Sequence, residues 1–425
     1  MQNKIITLII AILFAQLALS QNNSPYTRYG LGSLNSTHYG PSRAMGGVSL
    51  AYSSGRNLNY SNPASLSCID SLSFIFEFEV ESGFRQLAML NPNLKSTYTD
   101  TKLSYLAFGF PITKWWGSSL GIMPFSTVGY NIKAEDDLFD VSKTYFYEGS
   151  GGINQVYWNN GFELFSNFRL GLSFSYLFGM QNRSNSVKFN DDSGAYVNVL
   201  EENIIYINDF NISAGAQYDI RLNDKSNLSL AAKFVYPKKI NSSRNILVTN
   251  SLSLGGSAVI DTIFYADSEK GKISMPYGIG GGFLYAINEK FRFGADYMTQ
   301  DWSKALFFEQ SDSLGNSNSV NLGFEYTPVG IDGLTTNYVS KISYRFGMYF
   351  DQTYINFATI GEQINDFGIS FGLGLPMKRS KTSFNVWIEL GQKGTTKSNL
   401  VRERYLNLGL NFSLSDIWFV KRKFD

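Results

Sequence analysis

The chain has 425 residues, and 36 Lys and Arg against 35 Asp and Glu leave a net charge of +1, which offers no field for nucleic acid. Charged residues make up 17% of it and aromatics 16%, whereas ordinary globular domains carry roughly a quarter charged residues. A single cysteine, Cys68, excludes a disulfide framework, and a single histidine, His38, removes most zinc and catalytic-triad chemistry.

The first residues read as an export signal. Met1-Gln2-Asn3-Lys4 precedes an apolar run from Ile5 to Ala15 and on to Leu19, and Ala18-Leu19-Ser20 supplies the small residues a signal peptidase reads. Cleavage before Gln21 is expected, and with Gln21 rather than a cysteine directly after the site a lipoprotein is not. Beyond it, no run approaches the ~20 apolar residues of a spanning helix.

Residues 21–66 are Gly-rich, with irregular aromatics and no sustained period, as in Ser24-Pro25-Tyr26-Thr27-Arg28-Tyr29-Gly30 and Ser42-Arg43-Ala44-Met45-Gly46-Gly47. So long a segment without secondary structure needs something to hold it. Its Tyr, Leu and Met content favours a place inside a barrel over a disordered periplasmic leader.

From Ser71 the period changes to two. Strands are expected at 71–83, 99–110, 115–132, 148–162, 167–184, 203–220, 226–240, 273–287, 290–303, 317–327, 338–352, 364–376, 381–392 and 402–415. In the last, Leu406, Leu408, Leu410, Phe412 and Leu414 alternate with Asn407, Gly409, Asn411, Ser413 and Ser415, one greasy face and one wet. Connections alternate short and long. Pro111–Lys114, Glu163–Ser166, Arg221–Lys225, Asn288–Glu289 and Met377–Ser380 are short; Phe84–Tyr98, Asn185–Glu202, Asn241–Lys272 and Lys304–Asn316 are long. Short periplasmic turns and long outer loops mark outer-membrane barrels. The expected fold is all-β: a 14-stranded antiparallel transmembrane β-barrel (67–425) whose lumen holds residues 21–66 as a hatch. Its expected place is the outer membrane of a Gram-negative cell, with lipid as a partner.

Asn62-Pro63-Ala64, preceded by Arg43-Ala44-Met45-Gly46-Gly47 and Asn59-Tyr60-Ser61, resembles the signature of the FadL family of long-chain fatty acid transporters. Ser24–Gly32 and Leu414–Lys423 resemble a divergent branch of that family. The resemblance implies a hatch-plugged barrel that binds hydrophobic ligands and releases them sideways through a kink in the third strand. In this chain that strand carries Met123-Pro124-Phe125. Proline gives no N–H to a ladder, so Pro124 stands where a lateral opening would be, unless it lies on an extension above the membrane.

Other candidate ligand contacts are Met45 and Leu50 in the hatch, which could equally pack the hatch's own core together with Tyr29, Leu31, Val48 and Leu58. Arg169, Arg292, Asp296, Arg345 and Glu389 share the inward phase. The arginines could fork onto a carboxylate head group or simply pair with lumenal acids. Arg28 and Arg43 are expected to anchor the hatch to Glu77, Glu79 or Glu81. No catalytic site, metal or cofactor is expected. The expected function is passive uptake of a fatty-acid-like hydrophobic small molecule. The alternative is a non-transporting barrel serving as an accessory subunit of an outer-membrane protein complex for protein assembly or secretion. The polar outer loops, the long Asn241–Lys272 connection and the basic Lys421-Arg422-Lys423 tail favour that alternative.

Overall fold

The computed structural model describes residues 24–136, 141–190, 196–251, 259–312, 314–330, 337–377 and 381–417. The expected signal (1–20) and the basic run Lys421-Arg422-Lys423 lie outside them. Fourteen antiparallel strands close into a barrel. They are β1 (Ser73–Met89), β2 (Leu94–Thr113), β3 (Trp116–Asp136), β4 (Lys143–Phe165), β5 (Phe168–Phe189), β6 (Asn198–Asn223), β7 (Ser226–Val235 and Lys238–Ser251) and β8 (Val259–Met275 and Gly278–Ile287). The rest are β9 (Phe291–Asp301), β10 (Asn316–Tyr326), β11 (Ser343–Phe357), β12 (Glu362–Pro376), β13 (Ser383–Lys393) and β14 (Arg402–Ile417). Prolines break β7 and β8 at one level, because Pro237 and Pro276 cannot donate to the ladder. β14 pairs with β1 from Arg402↔Ala88 to Ile417↔Ser73, so the sheet has no edge at membrane level there.

The period-two phase holds as read. Along β14, Asn407, Asn411, Ser413 and Ser415 are buried, while Leu408, Leu410 and Leu414 face out. Along β5, Arg169, Ser173, Ser175 and Leu177 point in and Leu170, Leu172, Phe174 and Tyr176 point out. Exposed Trp115, Phe165 and Tyr218 ring the short-turn end, and exposed Phe210, Tyr236 and Tyr277 stand at the other level, as aromatic girdles do.

The long outer connections differ from expectation. A membrane span takes about 9–11 tilted residues, yet β3 to β6 run 21 to 26 residues. Phe84–Tyr98 is a hairpin turning over Leu90–Asn93, and most of Asn185–Glu202 and Asn241–Lys272 is strand as well. In these arms water lies on both faces, so the apolar–polar alternation vanishes while β-branched residues such as Thr97, Thr99 and Thr101 still favour extended backbone. Lys304–Asn316 does stay largely irregular.

Inside the barrel lies the leading segment from Ser24 to Leu72. It forms a 3-10 turn (Pro25–Arg28), a two-residue strand (Ser33–Leu34), a short helix (Gly40–Ala44) and a second 3-10 turn (Pro63–Cys68). Most of it is buried. Wall glycines let its backbone touch the strands. A Cβ at Gly171 would stand 2.1 Å from the Ala64 nitrogen, and one at Gly347 would stand 1.9 Å from the Gly46 nitrogen. Inward glycines are thus contact points for the segment.

Phe371 is 43% exposed on the lipid face, about 13 Å up from the Pro376 turn at ~3.3 Å per residue and ~40° tilt. Phe371→Arg is expected to cost about 2–4 kcal/mol, because a cation there sits near the bilayer midplane. Urea unfolding in lipid vesicles checks this, and a cost below about 1 kcal/mol would place β12 elsewhere.

Candidate functional site: the lumen and the β2–β3 seam

The leading segment is held mainly by its own backbone N–H groups, which donate to wall carboxylates. Ser49 and Leu50 nitrogens both donate to Asp296 Oδ2, at 2.6 and 2.8 Å. Gly40 N donates to Glu79 at 3.1 Å and Leu58 N to Glu77 at 3.0 Å. An irregular segment cannot satisfy these donors within itself, so the strands supply acceptors. Arg43 adds an ion pair to Glu81 at 2.8 Å, a longer one to Glu389 at 3.9 Å, and lies over the Trp387 ring. The expectation for Arg43 therefore holds. Arg28 behaves differently: it lies 4.3 Å from the Tyr147 ring centroid, and among the described residues it forms no ion pair with Glu77, Glu79 or Glu81.

The Asn62-Pro63-Ala64 motif has a clear local job. Asn62 Oδ1 accepts from Ala64 N at 3.2 Å and caps the 3-10 turn that Pro63 opens. Its Nδ2 donates to Leu50 O at 2.9 Å and to Ala216 O on β6 at 3.2 Å. One side chain thus ties two parts of the segment to the wall. Opposite it stands Gly215, where a Cβ would come within 2.0 Å of Asn62 Oδ1.

The residues named from sequence as ligand contacts do not converge. Phe125 packs with Tyr26, Leu31 and Tyr354; Met123 with Tyr39, Leu58 and Tyr157; Met45 with Val48, Tyr52 and Leu284. Three separate clusters stand where one greasy pocket was considered, and each fixes part of the leading segment. Arg345 bonds Glu325 and, at 2.8 Å, Asn385. Arg169 is spent on Asp219 and Cys68. Both arginines sit toward the short-turn end, away from Phe125.

Leu50, Pro124 and Phe125 do share a cavity of about 450 Å³ in the lumen. Its walls mix apolar groups such as Leu34, Met275 and Trp302 with charged ones, Glu79, Glu81 and Asp296 standing among Arg43, Lys102 and Lys233. Beside it a stack of tyrosines went unrecognised in the sequence. Tyr39 lies 3.6 Å from Tyr105, ring to ring, and donates to Tyr157 Oη at 2.7 Å. Tyr105 and Tyr157 fall on the ordinary inward phase, which carries no mark of such a role.

Pro124 lies at a break in two ladders. β2 and β3 pair from Thr113↔Trp116 up to Leu106↔Ile122, and no further pairs follow among the described residues. β3 continues against β4 to Asp136↔Lys143, with a register shift between Pro124 and Ser126. Above the break, the freed edge of β3 is met by the leading segment. Ser33 and Leu34 pair with Thr127 and Ser126, and Asn35 N donates to Phe125 O at 2.9 Å. A strand from the lumen thereby stands in for β2.

His38 borders the cavity, with Nδ1 3.1 Å from Ser49 Oγ. Desolvation, then the nearby charges of Arg43 and Lys233, push its pKa down to about 3. The ring is neutral at ordinary pH and serves as a hydrogen-bonding pin. Among the described residues, no group of His, Cys, Asp and Glu is arranged to hold a metal.

The chain belongs to the BamG family, whose model matches residues 1–425. No curated protein matches it. Solved structures share its fold at low identity. A CymD monoaromatic hydrocarbon channel is 12% identical with a TM-score of 0.58, over 90% of this chain and 99% of that one. The Ralstonia pickettii toluene transporter TbuX is 13% identical (TM-score 0.54, 89% and 99% covered). A Pseudomonas aeruginosa FadL homologue is also 13% identical (TM-score 0.53, 91% and 98%). The FadL-like resemblance read from the sequence holds at the level of fold.

Two outcomes test this account of the lumen. Asp296→Ala strands two buried N–H groups and is expected to cost about 2–5 kcal/mol, with faster proteolysis near Leu50; Asp296→Asn, which keeps an acceptor, should recover most of it. Equal protease resistance in all three proteins would remove Asp296 as an anchor. For His38, the unfolded ring titrates near 6.5 and the folded one near 3. Between those values the unfolded state binds the extra proton, so stability falls as pH drops through 6.5. From pH 7.5 to 5 the loss reaches at most about 2 kcal/mol, the ring's contact with the cavity lowering it. The pH dependence of the urea midpoint should flatten in His38→Gln, and an unchanged slope would show that His38 is hydrated.

Proposed function

We propose that this member of the BamG family is a stoppered outer-membrane barrel that works as an accessory subunit of a protein-assembly or secretion machine. The proposal includes export by a cleaved signal (1–20) and a hatch spanning residues 21–66. The observation that carries it is the polar, ion-paired fit between the leading segment and the wall. The two bonds to Asp296 and the Arg43–Glu81 pair are charge-assisted, at about 1.5–3 kcal/mol each. Expelling the segment therefore costs roughly 5–9 kcal/mol from these three alone, as much as the whole ~8 kcal/mol binding energy of a micromolar ligand. A ligand shifts a conformational equilibrium only by its differential affinity. A hydrocarbon gains less from a cavity that carries Glu79, Glu81, Asp296, Arg43, Lys102 and Lys233 among its apolar groups than from a mostly apolar one. The Bam designation of the family supports an association with the barrel-assembly machinery.

A second reading is favoured by the seam. The hydrocarbon channels that share the fold and the break at Pro124 support passive uptake of a hydrophobic molecule, with a lateral opening where Ser33–Leu34 now pairs. In that case Met123, Pro124 and Phe125 would line the exit, and Met45, Leu50, Arg169 and Arg345 would serve the ligand only after the segment moves.

Gentle detergent extraction followed by native mass spectrometry separates the readings. Stoichiometric protein partners without a bound small molecule are expected. A monomer carrying a hydrophobic molecule would overturn the subunit reading. Under the channel reading, Pro124→Ala restores a ladder N–H and lowers uptake of a long-chain substrate; unchanged uptake by a normally inserted variant would count against a gate there.

A further inference from the structure

The outer half of β8 stands clear of the membrane. Gly278–Ile287, ten residues, already suffices for a span, so Val259–Met275 projects beyond the interface marked by Tyr277. On one side it pairs with β7 from Met275↔Lys238 to Val259↔Ser251. On its other side, backbone contacts stop near Lys272, where Phe308 N donates to the Lys272 carbonyl. Among the described residues, none joins 259–270 to any strand but β7. The ladder to β7 is bulged, with register shifts between Val259 and Asp261, Thr262 and Phe264, and Ala266 and Glu269, and the N–H and C=O groups not given to β7 form a free sheet edge.

The side chains at that edge are unusual for one left to water. Ile263, Phe264 and Tyr265 are 57%, 51% and 62% exposed. Phe264 stands opposite Val248 and Tyr265 opposite Leu247, so both faces of the hairpin are apolar at one level. Protected edges usually carry charge at such a place. Here the charges flank it: Asp261 and Asp267 accept only local bonds, from Thr262 N and Ser268 Oγ. Neither belongs to an ion pair among the described residues, whereas nearby Glu269 is matched by Arg244 at 2.7 Å.

We propose that Val259–Lys270 is a docking edge for an extended segment of an extracellular partner protein, added as a further antiparallel strand. The partner segment carries apolar residues against Ile263, Phe264 and Tyr265, and basic residues about six positions apart against Asp261 and Asp267. Main-chain bonds supply the register, and the flanking carboxylates select the partner. The inference rests on the subunit reading and names the partner's chemistry.

The test uses the full-length protein in detergent at low salt, titrated with two fluorescein-labelled peptides. One is Lys-Thr-Val-Thr-Val-Thr-Lys and the other has Glu at both ends. The basic peptide is expected to bind about tenfold more tightly, and Asp261→Lys/Asp267→Lys is expected to reverse the preference. Phe264→Pro, which removes an N–H from the hairpin, should abolish binding; if it fails to insert, the charge-reversed protein decides. Equal binding of both peptides, or binding of neither, overturns the proposal. So does sedimentation as a dimer that excludes them, because a second copy then fills the edge. If the charge-reversed protein keeps the partners of the wild-type chain on extraction, this edge is overturned while the subunit reading stands. If the wild-type chain extracts alone, that reading fails first.

Discussion

Backbone amides facing hydrocarbon have no water to bond, and the whole molecule follows from that constraint. A sheet in lipid must close on itself, and β14 meets β1 along sixteen registered residue pairs. Closure at fourteen strands leaves a lumen too wide for wall side chains alone to fill. The chain fills it with its own leading segment, and inward glycines such as Gly171 and Gly347 let backbone lie against backbone. The same constraint makes the gap between β2 and β3 costly, and Ser33–Leu34 reduces that cost by pairing with β3.

Electrostatics decides what kind of interior this is. Irregular backbone brings donors without partners, and the wall answers with acceptors at fixed positions, Asp296 taking two N–H groups and Glu77 and Glu79 one each. Such acceptors are laid out for one particular chain path. The lumen therefore holds the leading segment along one fixed path, while the outer half of the sheet is long and loses its pairing only at the β2–β3 break and along β8 among the described residues.

The membrane half was legible because lipid outside and a wet lumen inside impose period two on every span, as in Leu406–Ser415. The outer arms were not, since water on both faces erases that contrast; Asn241–Lys272 read as a loop for this reason. Pro124 announced its ladder break, because proline lacks the N–H that pairing needs. That two residues, Ser33 and Leu34, would pair with β3 above that break left no mark. Arg169 and Arg345 show the limit of phase. Inward direction was correct for both, but the partners that occupy them, Asp219 and Glu325, come from neighbouring strands whose register a sequence does not state. Asp296 lay among the inward charges, yet the N–H groups it holds belong to residues almost 250 positions earlier.

The leading segment touches nearly the whole circumference: Pro63–Cys68 lies against β3 to β6, and Gly40–Ala44 against β11 to β14. It joins β1 from within the ring. A hoop already zipped shut could admit those forty-odd residues only through an open mouth, with their polar groups still wet. Insertion is simpler if the strands gather round a segment that is made first, so that it templates the circumference before the last seam is sewn. On that view, the segment found inside the finished barrel is also the mandrel on which it was wound.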